Sequence, residues 1–465
     1  MNLPNIVDFD GYLSSDATKM DLRKIYKSHF RVQEAEMLAA RHLTQITSKL
    51  SLRQSQVRPY HTHPSPYYPK LNRHALPYDP QEPRNILAPE QNYIQRQPQV
   101  NDTIVVAMSS GVDSSVCAAL YSKYPNVRGV YMSNWSQTAT CTERDWKDVK
   151  QICQQLGIPH ERVNFESDYW DNVFSPMIDK YRLGLTPNPD VGCNKYVKFG
   201  KLAQYFNDKY GENWWLVTGH YARIMQSSSS GEFHLLRGLS TRKDQSYYLS
   251  SIPANVLHRV IFPLGHYLKS ETRQMATQFG LHVKNKPDSQ GLCFVNPQQS
   301  NFRDFLNEYI EPNPGDIVTE DGKIWGHHQG LWHATIGQKS SVSMPQGDPN
   351  YKGVWFVADK DVEKNQLIIV RGHDNPKLYK SRVIVSDVDW VYDREKAVGL
   401  DPSMVEFQHH SLSTPTRIKS WNITDGNVVE LELADSVRAL APGQAGVFYH
   451  GNQVLGGGVI SKTET

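Results

Sequence analysis

The sequence has little of what marks metal-binding, secreted or membrane proteins. Its 465 residues include only five cysteines, at positions 117, 141, 153, 193 and 293, and no two of them form a C-x-x-C pair. A zinc ribbon, an iron–sulfur cluster and a secreted disulfide framework are therefore disfavoured. No apolar run approaches the roughly 20 residues that a membrane-spanning helix needs. We predict a soluble protein with no membrane partner.

Net charge is also small, at +2 with a pI near 8.1. This is too mild to indicate nucleic acid, so any such partner must be argued from local clusters. Acidic residues are absent between Met37 and Tyr78, whereas basic residues are spread through that stretch. An acid-poor, arginine-containing, amphipathic segment is typical of a mitochondrial presequence. We therefore expect a mitochondrial protein, with a presequence-like segment at residues 37–65.

The residues before Met37 do not suit import, because they carry several aspartates. Our hypothesis is that translation from Met37, rather than Met1, yields the imported form. The Pro- and Tyr-rich stretch that follows favours a disordered leader up to residue 100. At roughly 150 residues per domain the chain has room for about three domains. We place them at 101–305 (nucleotide-binding, catalytic), 306–372 (central, β-rich) and 373–465 (β-barrel).

Residues 103–120 carry the most informative local pattern: an apolar strand, a serine-rich loop and an apolar helix. This order directs backbone N–H groups and a helix N-terminus at one point, where a phosphate can bind. The loop lacks the lysine of the Walker motif G-x-x-x-x-G-K-S/T, so it is not a kinase-like P-loop. An ordinary serine-rich turn is the alternative at this point.

Beyond the loop, predicted strands and helices alternate, which favours a parallel, Rossmann-like sheet. Cys153 falls on an apolar helical face and is assigned to the core. The two prolines at positions 187 and 189 predict an irregular loop rather than a helix. Cys193 follows that loop, precedes a predicted helix and has Lys195 and Lys198 nearby, which favours a reactive thiolate. Cys293 lies in a second loop and could meet Cys193 in a persulfide and disulfide exchange.

The motifs SSGVDSS, TPNPDVGCN, TGHYAR, RGLSTRKDQSYYL, DSQGLCF, WFVADKD, PGQAGVFY and LGGGVI occur in this order. Together they resemble the MnmA family of tRNA-specific 2-thiouridylases, mitochondrial type, over about residues 101–462. Three places depart from the family pattern. Ser110 stands where the PP-loop usually has a second glycine, and TRIKSW around Lys419 lacks the usual basic-aromatic pattern. After TIGQ the family usually has a basic residue and a glycine, whereas here Lys339 is followed by Ser340.

The resemblance implies an α/β fold: a Rossmann-like PP-loop ATP pyrophosphatase domain, a small β-rich central domain and a C-terminal antiparallel β-barrel. It implies ATP-dependent sulfur transfer from a protein persulfide to C2 of the wobble uridine of tRNA, through an adenylated intermediate. ATP and Mg²⁺ are the expected cofactors, with Asp113 helping to hold the metal. The expected partners are tRNA and a sulfur-relay donor, either a cysteine desulfurase or a carrier protein, and the chain is expected to be a monomer.

Residue roles follow from the same resemblance. Cys193 is the expected nucleophile or disulfide partner, and Cys293 the expected persulfide carrier. Nucleotide contacts are expected at Ser109, Ser110, Gly111, Val112, Asp113, Ser114, Ser115, Met132 and Gly219. Contacts with tRNA are expected at Asn188, Pro189, Asp190, His220, Lys243, Asp244, Gln245, Lys419 and Gln444.

A basic cluster of Arg237, Arg242 and Lys243 beside Tyr247 and Tyr248 fits phosphate contacts and base stacking. A solvated charged face is the simpler interpretation of that cluster alone. Two other functional classes stay open. A PP-loop ligase or amidotransferase of a small metabolite would use the nucleotide loop but not the paired thiols or the barrel. A non-catalytic tRNA-binding protein would use neither thiol.

Overall fold

The computed structural model describes residues 84–87, 92–135, 139–288, 302–424 and 426–465, with the side chains of 139–141 left out. All of these belong to one compact unit, Tyr67–Thr465. The predicted presequence-like segment 37–65, both start methionines and Cys293 lie outside the described residues. Within the described part of the chain, no helix has both the length and the apolar character that crossing a membrane would require.

The described strands form three sheets. In chain order they are β1 (Tyr93–Ile94), β2 (Thr103–Met108), β3 (Val127–Ser133), β4 (His160–Asn164), β5 (Trp214–Val217), β6 (Ala222–Ser227), β7 (Phe233–Arg237), β8 (Val260–Ile261), β9 (Gly315–Thr319), β10 (Ile324–His328), β11 (Trp355–Asp361), β12 (Gln366–Arg371), β13 (Tyr379–Trp390), β14 (Val405–Gln408), β15 (Thr416–Ile423), β16 (Val429–Arg438), β17 (Ala445–His450) and β18 (Gln453–Glu464).

Helices connect and cover these sheets. The α-helices are Val112–Tyr121, Ala139–Leu156, Glu166–Tyr169, Ser175–Arg182, Pro189–Gly192, Leu202–Tyr210, Lys269–Gln278, Phe302–Asn307 and Arg394–Val398. Two π-helical stretches, Trp170–Phe174 and Cys193–Lys201, join neighbouring α-helices. Short 3-10 turns occupy Ser246–Leu249, Ala254–Arg259, Pro263–His266, Leu331–His333, Pro376–Leu378 and Pro402–Met404.

The nucleotide domain is built on a parallel sheet with strand order β4-β3-β2-β5-β8. Ile104 and Val106 on β2 face one apolar cluster, and Val105 faces another. A sheet buried on both faces needs unbroken apolar strands, which is why TIVVAM has no polar alternation. The predicted Rossmann-like domain is confirmed, and so is the assignment of Cys153 to the core, where it is fully buried.

Two local predictions were wrong. The prolines of the 186–190 segment do not prevent a helix: Asn188 caps it by accepting from the amide of Asp190, and Pro189 occupies its first turn. Proline suits that position because its missing N–H would have no helical partner. Cys193 therefore lies inside a continuous helical stretch rather than before one.

The second wrong prediction concerns the disordered leader, which was expected to reach residue 100. Tyr93 and Ile94 pair with β6, and Asn85 donates to the carbonyls of Leu239 and Gly238. These contacts belong to residues 84–87 and 92–100, which lie on the nucleotide domain. Sequence composition could not show this, because the pairing partners lie more than a hundred residues away.

The central domain contains a four-stranded sheet of order β10-β9-β12-β11, in which β9 and β12 are parallel. Its core gathers Ile317, Leu331, Trp355, Val357 and Ile369. His328 is buried, and its Nε2 lies 3.1 Å from the carbonyl of Asn365. The described residues contain no cluster of His, Cys, Asp and Glu that could hold a metal ion.

The C-terminal strands close into a barrel in the order β18-β13-β16-β15-β14-β17, because β17 also pairs with β18. The predicted antiparallel β-barrel is confirmed. Its sheet continues beyond β18 to β7, β6 and β1 of the nucleotide domain. The barrel is thus joined to the nucleotide domain by main-chain pairing as well as by side chains.

Glycines in the motif LGGGVI permit close approach of strands within the barrel. A Cβ added to Gly456 would lie 2.3 Å from the carbonyl oxygen of Asp389, and one added to Gly458 would lie 2.4 Å from that of Ser386. A Cβ on Gly457 would lie 2.6 Å from Ser250 Oγ of the nucleotide domain. The three glycines therefore allow the close strand packing inside the barrel and the close contact between the barrel and the nucleotide domain.

We expect Gly456→Ala to lower the free energy of unfolding by about 1–3 kcal/mol, because the new methyl group meets a backbone carbonyl that cannot move aside. Gly347→Ala is the matched control, since no atom lies within 4 Å of its added Cβ. Unfolding in urea, monitored by tryptophan fluorescence, measures the free energy of unfolding of both variants. Equal midpoints for the two variants would contradict the packing explanation.

Candidate active site

The serine-rich loop lies between β2 and the helix Val112–Tyr121, at the carboxyl edge of the parallel sheet. The strand order reverses between β2 and β5, which is where sheets of this class bind ligands. Gly111 caps the helix without a side-chain hydrogen bond. The first N–H groups of the helix lack intrahelical partners. The loop can therefore bind an anionic phosphate through its backbone.

The loop hydroxyls mainly bond the loop itself. Ser114 Oγ accepts from the amide of Ser109 at 3.1 Å, and Ser115 Oγ donates to the carbonyl of Gly111 at 2.7 Å. Ser110, Ser114 and Ser115 are buried, whereas Ser109 is exposed. These bonds fix the shape of the loop and use the amides of Ser109 and Ser115, so the groups left to face a phosphate are the amides at the start of the helix.

Ser110 has a φ of 60°, in the left-handed region that costs a non-glycine residue about 1–3 kcal/mol. Gly111 beside it has an ordinary φ of −79°. The position where this chain departs from the family glycine is thus the one where glycine would relieve strain. Its hydroxyl offsets part of that cost by donating to Asp145 at 2.7 Å and lying 2.9 Å from Lys286 Nζ.

The other predicted nucleotide residues surround this loop. Met132 lies near the end of β3, beside β2, and is half-buried. Gly219 follows β5, and a Cβ added there would lie 3.0 Å from the amide nitrogen of Ser114. Only a residue without a side chain lets the two loops approach so closely. The structure therefore brings Met132 and Gly219 to the same edge as the serine-rich loop.

Asp113, the expected Mg²⁺ ligand, is bonded to a lysine. Lys269 Nζ lies 2.7 Å from both of its carboxylate oxygens, and the Tyr221 hydroxyl donates to it at 3.0 Å. A cation that already bridges both oxygens occupies the place of a metal. Asp113 in this arrangement does not fit a metal ligand, and Mg²⁺ stays an expectation from the resemblance.

Asp288 gathers three cations around one carboxylate. Arg273, Lys243 and Lys269 lie 2.6, 2.8 and 3.0 Å from its oxygens. Although partial burial opposes the charged form, hydrogen bonds and charge from Lys243 and Lys269 lower the pKa of Asp288 from 3.8 to about 2. The carboxylate therefore ties the segment after Lys284 to the helix Lys269–Gln278.

Replacing Asp288 by Asn should cost about 2 kcal/mol of unfolding free energy at pH 7. A carboxyl with a lowered folded pKa stabilises the protein above its unfolded pKa near 3.8 and loses that effect as pH falls through about 2. The difference between variant and wild type should therefore shrink below pH 4. Asp179→Asn, in an exposed ion pair with Arg182, is the control and should change little at either pH. A pH-independent cost for Asp288→Asn would refute the ion-pair explanation.

A cavity of about 240 Å³ opens beside the loop at 186–190. One wall comes from the nucleotide domain and the other from the barrel. Its lining residues are Tyr181, Thr186, Pro187, Asn188, Pro189, Asp190, Tyr247, Tyr248, His410, Ser411 and Gln444. Four of the predicted tRNA residues, Asn188, Pro189, Asp190 and Gln444, thus line one cavity.

The cavity contains polar groups that can form hydrogen bonds with a ligand. Gln444 Oε1 is buried and has no hydrogen-bond partner among the residues that the structure describes. Burial raises the pKa of the Asp190 carboxyl, and the charge of Lys198 partly opposes that rise. Tyr248 offers a half-buried ring at the same wall. The cavity can therefore hold a flat ring that donates and accepts hydrogen bonds.

Cys193 follows this wall by one helical turn, since its amide donates to the carbonyls of Pro189 and Asp190. Its side chain is buried among apolar residues. Of the two lysines predicted to favour its thiolate, Lys195 is bonded to Asp389 of the barrel at 2.6 and 2.8 Å. Cys293 lies outside the described residues, so the predicted meeting of the two thiols stays a prediction.

His220 links the two halves of the site. It follows Gly219, lies 2.6 Å from Thr218 Oγ1 through its Nδ1, and packs between Phe199 and Phe262. Burial, reinforced by the charge of Lys198, holds its pKa well below the usual value. Because Phe199 lies on the helical stretch that begins at Cys193 and packs on His220, the nucleotide side and the cavity side are neighbours.

The remaining predicted tRNA residues differ in exposure. Lys243 is partly exposed and bonded to Asp288, and Lys419 is exposed on β15 and bonded to Glu432. Gln245 is half-buried and accepts from the amide of Tyr221. Asp244 is buried, where it accepts from the side chain of Arg237, the amide of Gly238 and Ser246.

Arg237 was wrongly assigned to a phosphate-contacting cluster. It is buried, bonded to Asp244 and Gln408, and stacked on Tyr449 with 3.5 Å from its guanidinium carbon to the ring centroid. Arg237 is the last residue of β7, and the final three residues of that strand are all buried. Sequence reasoning also missed Lys269, Lys286, His410 and Ser411, because their positions depend on contacts between distant segments.

Family models match three successive parts of the chain. They are described as tRNA methyl transferase HUP domain (residues 102–297), tRNA methyl transferase PRC-barrel domain (303–371) and aminomethyltransferase beta-barrel domain (380–460). Mitochondrial tRNA-specific 2-thiouridylase 1 of Saccharomyces cerevisiae is 48% identical over 389 residues, covering 79% of this chain and 93% of that protein.

This chain belongs to the tRNA-specific 2-thiouridylase family. Another member, tRNA-specific 2-thiouridylase MnmA of Lactiplantibacillus plantarum, is 41% identical over 77% of this chain and 95% of its own length. Among solved structures, NMN synthetase from Francisella tularensis matches 40% of this chain and 66% of its own, with 14% identity and a TM-score of 0.27. That likeness is too weak to bear on function. The resemblance to the 2-thiouridylase family drawn from the motifs is confirmed.

Proposed function

We propose that this protein is an ATP-dependent tRNA-uridine 2-sulfurtransferase that thiolates C2 of the wobble uridine. The observation that carries the proposal is the cavity in which Asn188, Pro189, Asp190 and Gln444 meet, one helical turn from Cys193. Membership in the family supports the reaction class. The serine-rich loop supplies the phosphate site that an adenylation needs.

The cavity suits a uracil ring. Gln444 Oε1, which is unpaired in the described structure, is an acceptor, and the N3–H of uracil is a matching donor. Tyr248 supplies a ring edge or face at the same wall, which fits an unstacked base. A buried acceptor left without a donor costs about 1–3 kcal/mol, so a bound base would gain that amount relative to the empty cavity.

The first step is adenylation. The O2 atom of uridine attacks the α-phosphate of ATP, the bond to the β-phosphate breaks, and pyrophosphate leaves. Loop amides stabilise the negative charge on the phosphates. Phe199, on the helical stretch that begins at Cys193, packs on His220, which fits a base delivered from the Asp190 wall to a nucleotide held at Gly219. Uridine C2 then carries AMP as its leaving group.

The second step is sulfur transfer. Cys293 carries the incoming persulfide, whose terminal sulfur reaches C2 either directly or after Cys193 attacks the inner sulfur and releases sulfide. In the sulfide route, the released sulfide attacks C2, AMP leaves and 2-thiouridine forms. In the direct route, the terminal sulfur attacks C2 and AMP leaves, and Cys193 then attacks the Cys293 sulfur, breaking the S–S bond and releasing 2-thiouridine. In both routes Cys193 and Cys293 end as a disulfide, which an external dithiol must reduce before the next turnover. The persulfide comes from a sulfur-relay donor, either a cysteine desulfurase or a carrier protein.

We expect Cys193→Ser to lower 2-thiouridine formation by about a hundredfold or more, the scale of effect seen when a nucleophile is removed. Release of pyrophosphate from ATP in the presence of tRNA should persist, because adenylation precedes the thiol step. Mass spectrometry of wobble nucleosides measures 2-thiouridine formation, and a phosphate assay measures the release of pyrophosphate. Cys153→Ala, at a buried thiol away from the cavity, should thiolate normally. Normal thiolation by Cys193→Ser would refute the mechanism.

The proposed location is the mitochondrion, supported by the acid-poor segment 37–65 and by the mitochondrial name of the yeast relative. N-terminal sequencing of the mature protein from purified mitochondria should find an end downstream of Met37. The presequence is removed on import, so a shortened end is the expected result. An intact Met1 end on an active protein found only in the cytosol would contradict this proposal.

A further inference from the structure

Two lysines lie against a loop that has none of its own. Lys286 Nζ lies 2.9 Å from Ser110 Oγ, and Lys269 Nζ lies 2.7 Å from the carboxylate of Asp113. They are 176 and 156 residues away from those partners in the sequence. In a Walker loop the motif itself supplies the lysine that reaches the terminal phosphates. Here folding brings cations to the loop from elsewhere.

Carboxylates hold both lysines in place. Lys286 pairs with Asp145 at 3.2 Å and Asp148 at 3.0 Å, on the helix Ala139–Leu156. Lys269 pairs with Asp288 at 3.0 Å in addition to Asp113. Both lysines are largely covered, with 31% and 16% of their side chains exposed. Both ammonium groups therefore stay beside the loop instead of extending into solvent.

The charges of this cluster balance. Lys243, Lys269, Arg273 and Lys286 oppose Asp113, Asp145, Asp148 and Asp288. An incoming polyphosphate would add several negative charges to a neutral cluster. Binding becomes favourable if some lysines exchange a carboxylate for a phosphate oxygen, since both are acceptors of charge-assisted hydrogen bonds.

We propose that Lys269 and Lys286 bind the phosphates of the nucleotide, and that Asp145, Asp148 and Asp288 position them until phosphate oxygens replace the carboxylates. This inference rests on the proposed use of ATP and adds two phosphate-binding residues to that site. A lysine has three donors on a flexible stem, so its ammonium can turn from one acceptor to another without backbone movement. Ser110, despite its strained backbone, keeps Lys286 at the loop.

Lys286→Met should weaken binding of ATP and of inorganic pyrophosphate about tenfold, the equivalent of losing one hydrogen bond to a charged group. Adenosine has no phosphate, and its affinity should not change. Isothermal titration calorimetry on the full-length protein measures all three ligands. Lys284→Met is the matched control, because Lys284 lies on the same segment and has no ion pair with the loop carboxylates among the described contacts. Retained adenosine binding also shows that the variant is folded.

Asp145→Asn distinguishes phosphate binding from a structural role. If Asp145 competes with phosphate for Lys286, its neutral replacement should bind pyrophosphate several-fold more tightly than wild type. If the cluster is only a scaffold, both Asp145→Asn and Lys286→Met should weaken all ligands alike, and that result would overturn the inference. So would an unchanged affinity of Lys286→Met for ATP and pyrophosphate.

Failure of the proposed function is distinguishable from failure of this inference. If ATP binding depends on Lys286 as predicted but the wild-type protein forms no 2-thiouridine, the proposed function is contradicted. The assignment of Lys269 and Lys286 to phosphate binding would still hold. A wild-type protein that binds neither ATP nor pyrophosphate would overturn both.

Discussion

The contact between the loop at residues 186–190 and the C-terminal barrel is the constraint on which the site depends. The amide of Thr186 donates to the carbonyl of Pro442 at 2.9 Å, and a Cβ on Gly443 would lie 2.5 Å from the Thr186 nitrogen. The Tyr247 hydroxyl adds a bond to the carbonyl of Ala445 at 2.9 Å. Without these contacts the cavity would be an open groove, because Gln444 forms part of its far wall.

Several further bonds hold the three domains in this arrangement. Lys195 ties the helix of Cys193 to Asp389 on β13, and Lys360 of the central domain donates to the carbonyl of Gly184, just before the loop. Burial lowers the pKa of Lys360 to about 8. A cation at the end of the helix Ser175–Arg182 also suits the negative end of the helix dipole. The loop that lines the cavity is thus fixed from both the central domain and the barrel.

The site has two parts, the serine-rich loop and the cavity beside residues 186–190, and they differ in the interactions that they offer a ligand. The proposed phosphate-binding part has backbone amides and a balanced set of ion pairs, which can exchange partners when an anion binds. In the proposed base-binding part, the walls include Gln444 Oε1, an acceptor unpaired within the described part of the chain, so selectivity would come from shape and hydrogen bonding. The contact between Phe199 and His220 lies where the two parts meet. This division suits a reaction in which a small part of a large RNA must meet a nucleotide.

The sequence by itself determined the fold class, the order of the domains and the family, because apolar strand runs, turn glycines and loop motifs are local features. It also marked Asn188, Asp190 and Gln444 through their motifs, and put Cys153 in the core through helical periodicity. It misjudged the start of the helix at Pro189 and the role of Arg237, since capping and burial there depend on neighbours. Only the tertiary structure placed Lys269 and Lys286 at the loop and closed the cavity with the barrel. Those contacts join residues far apart in the chain, so no local sequence pattern could predict them.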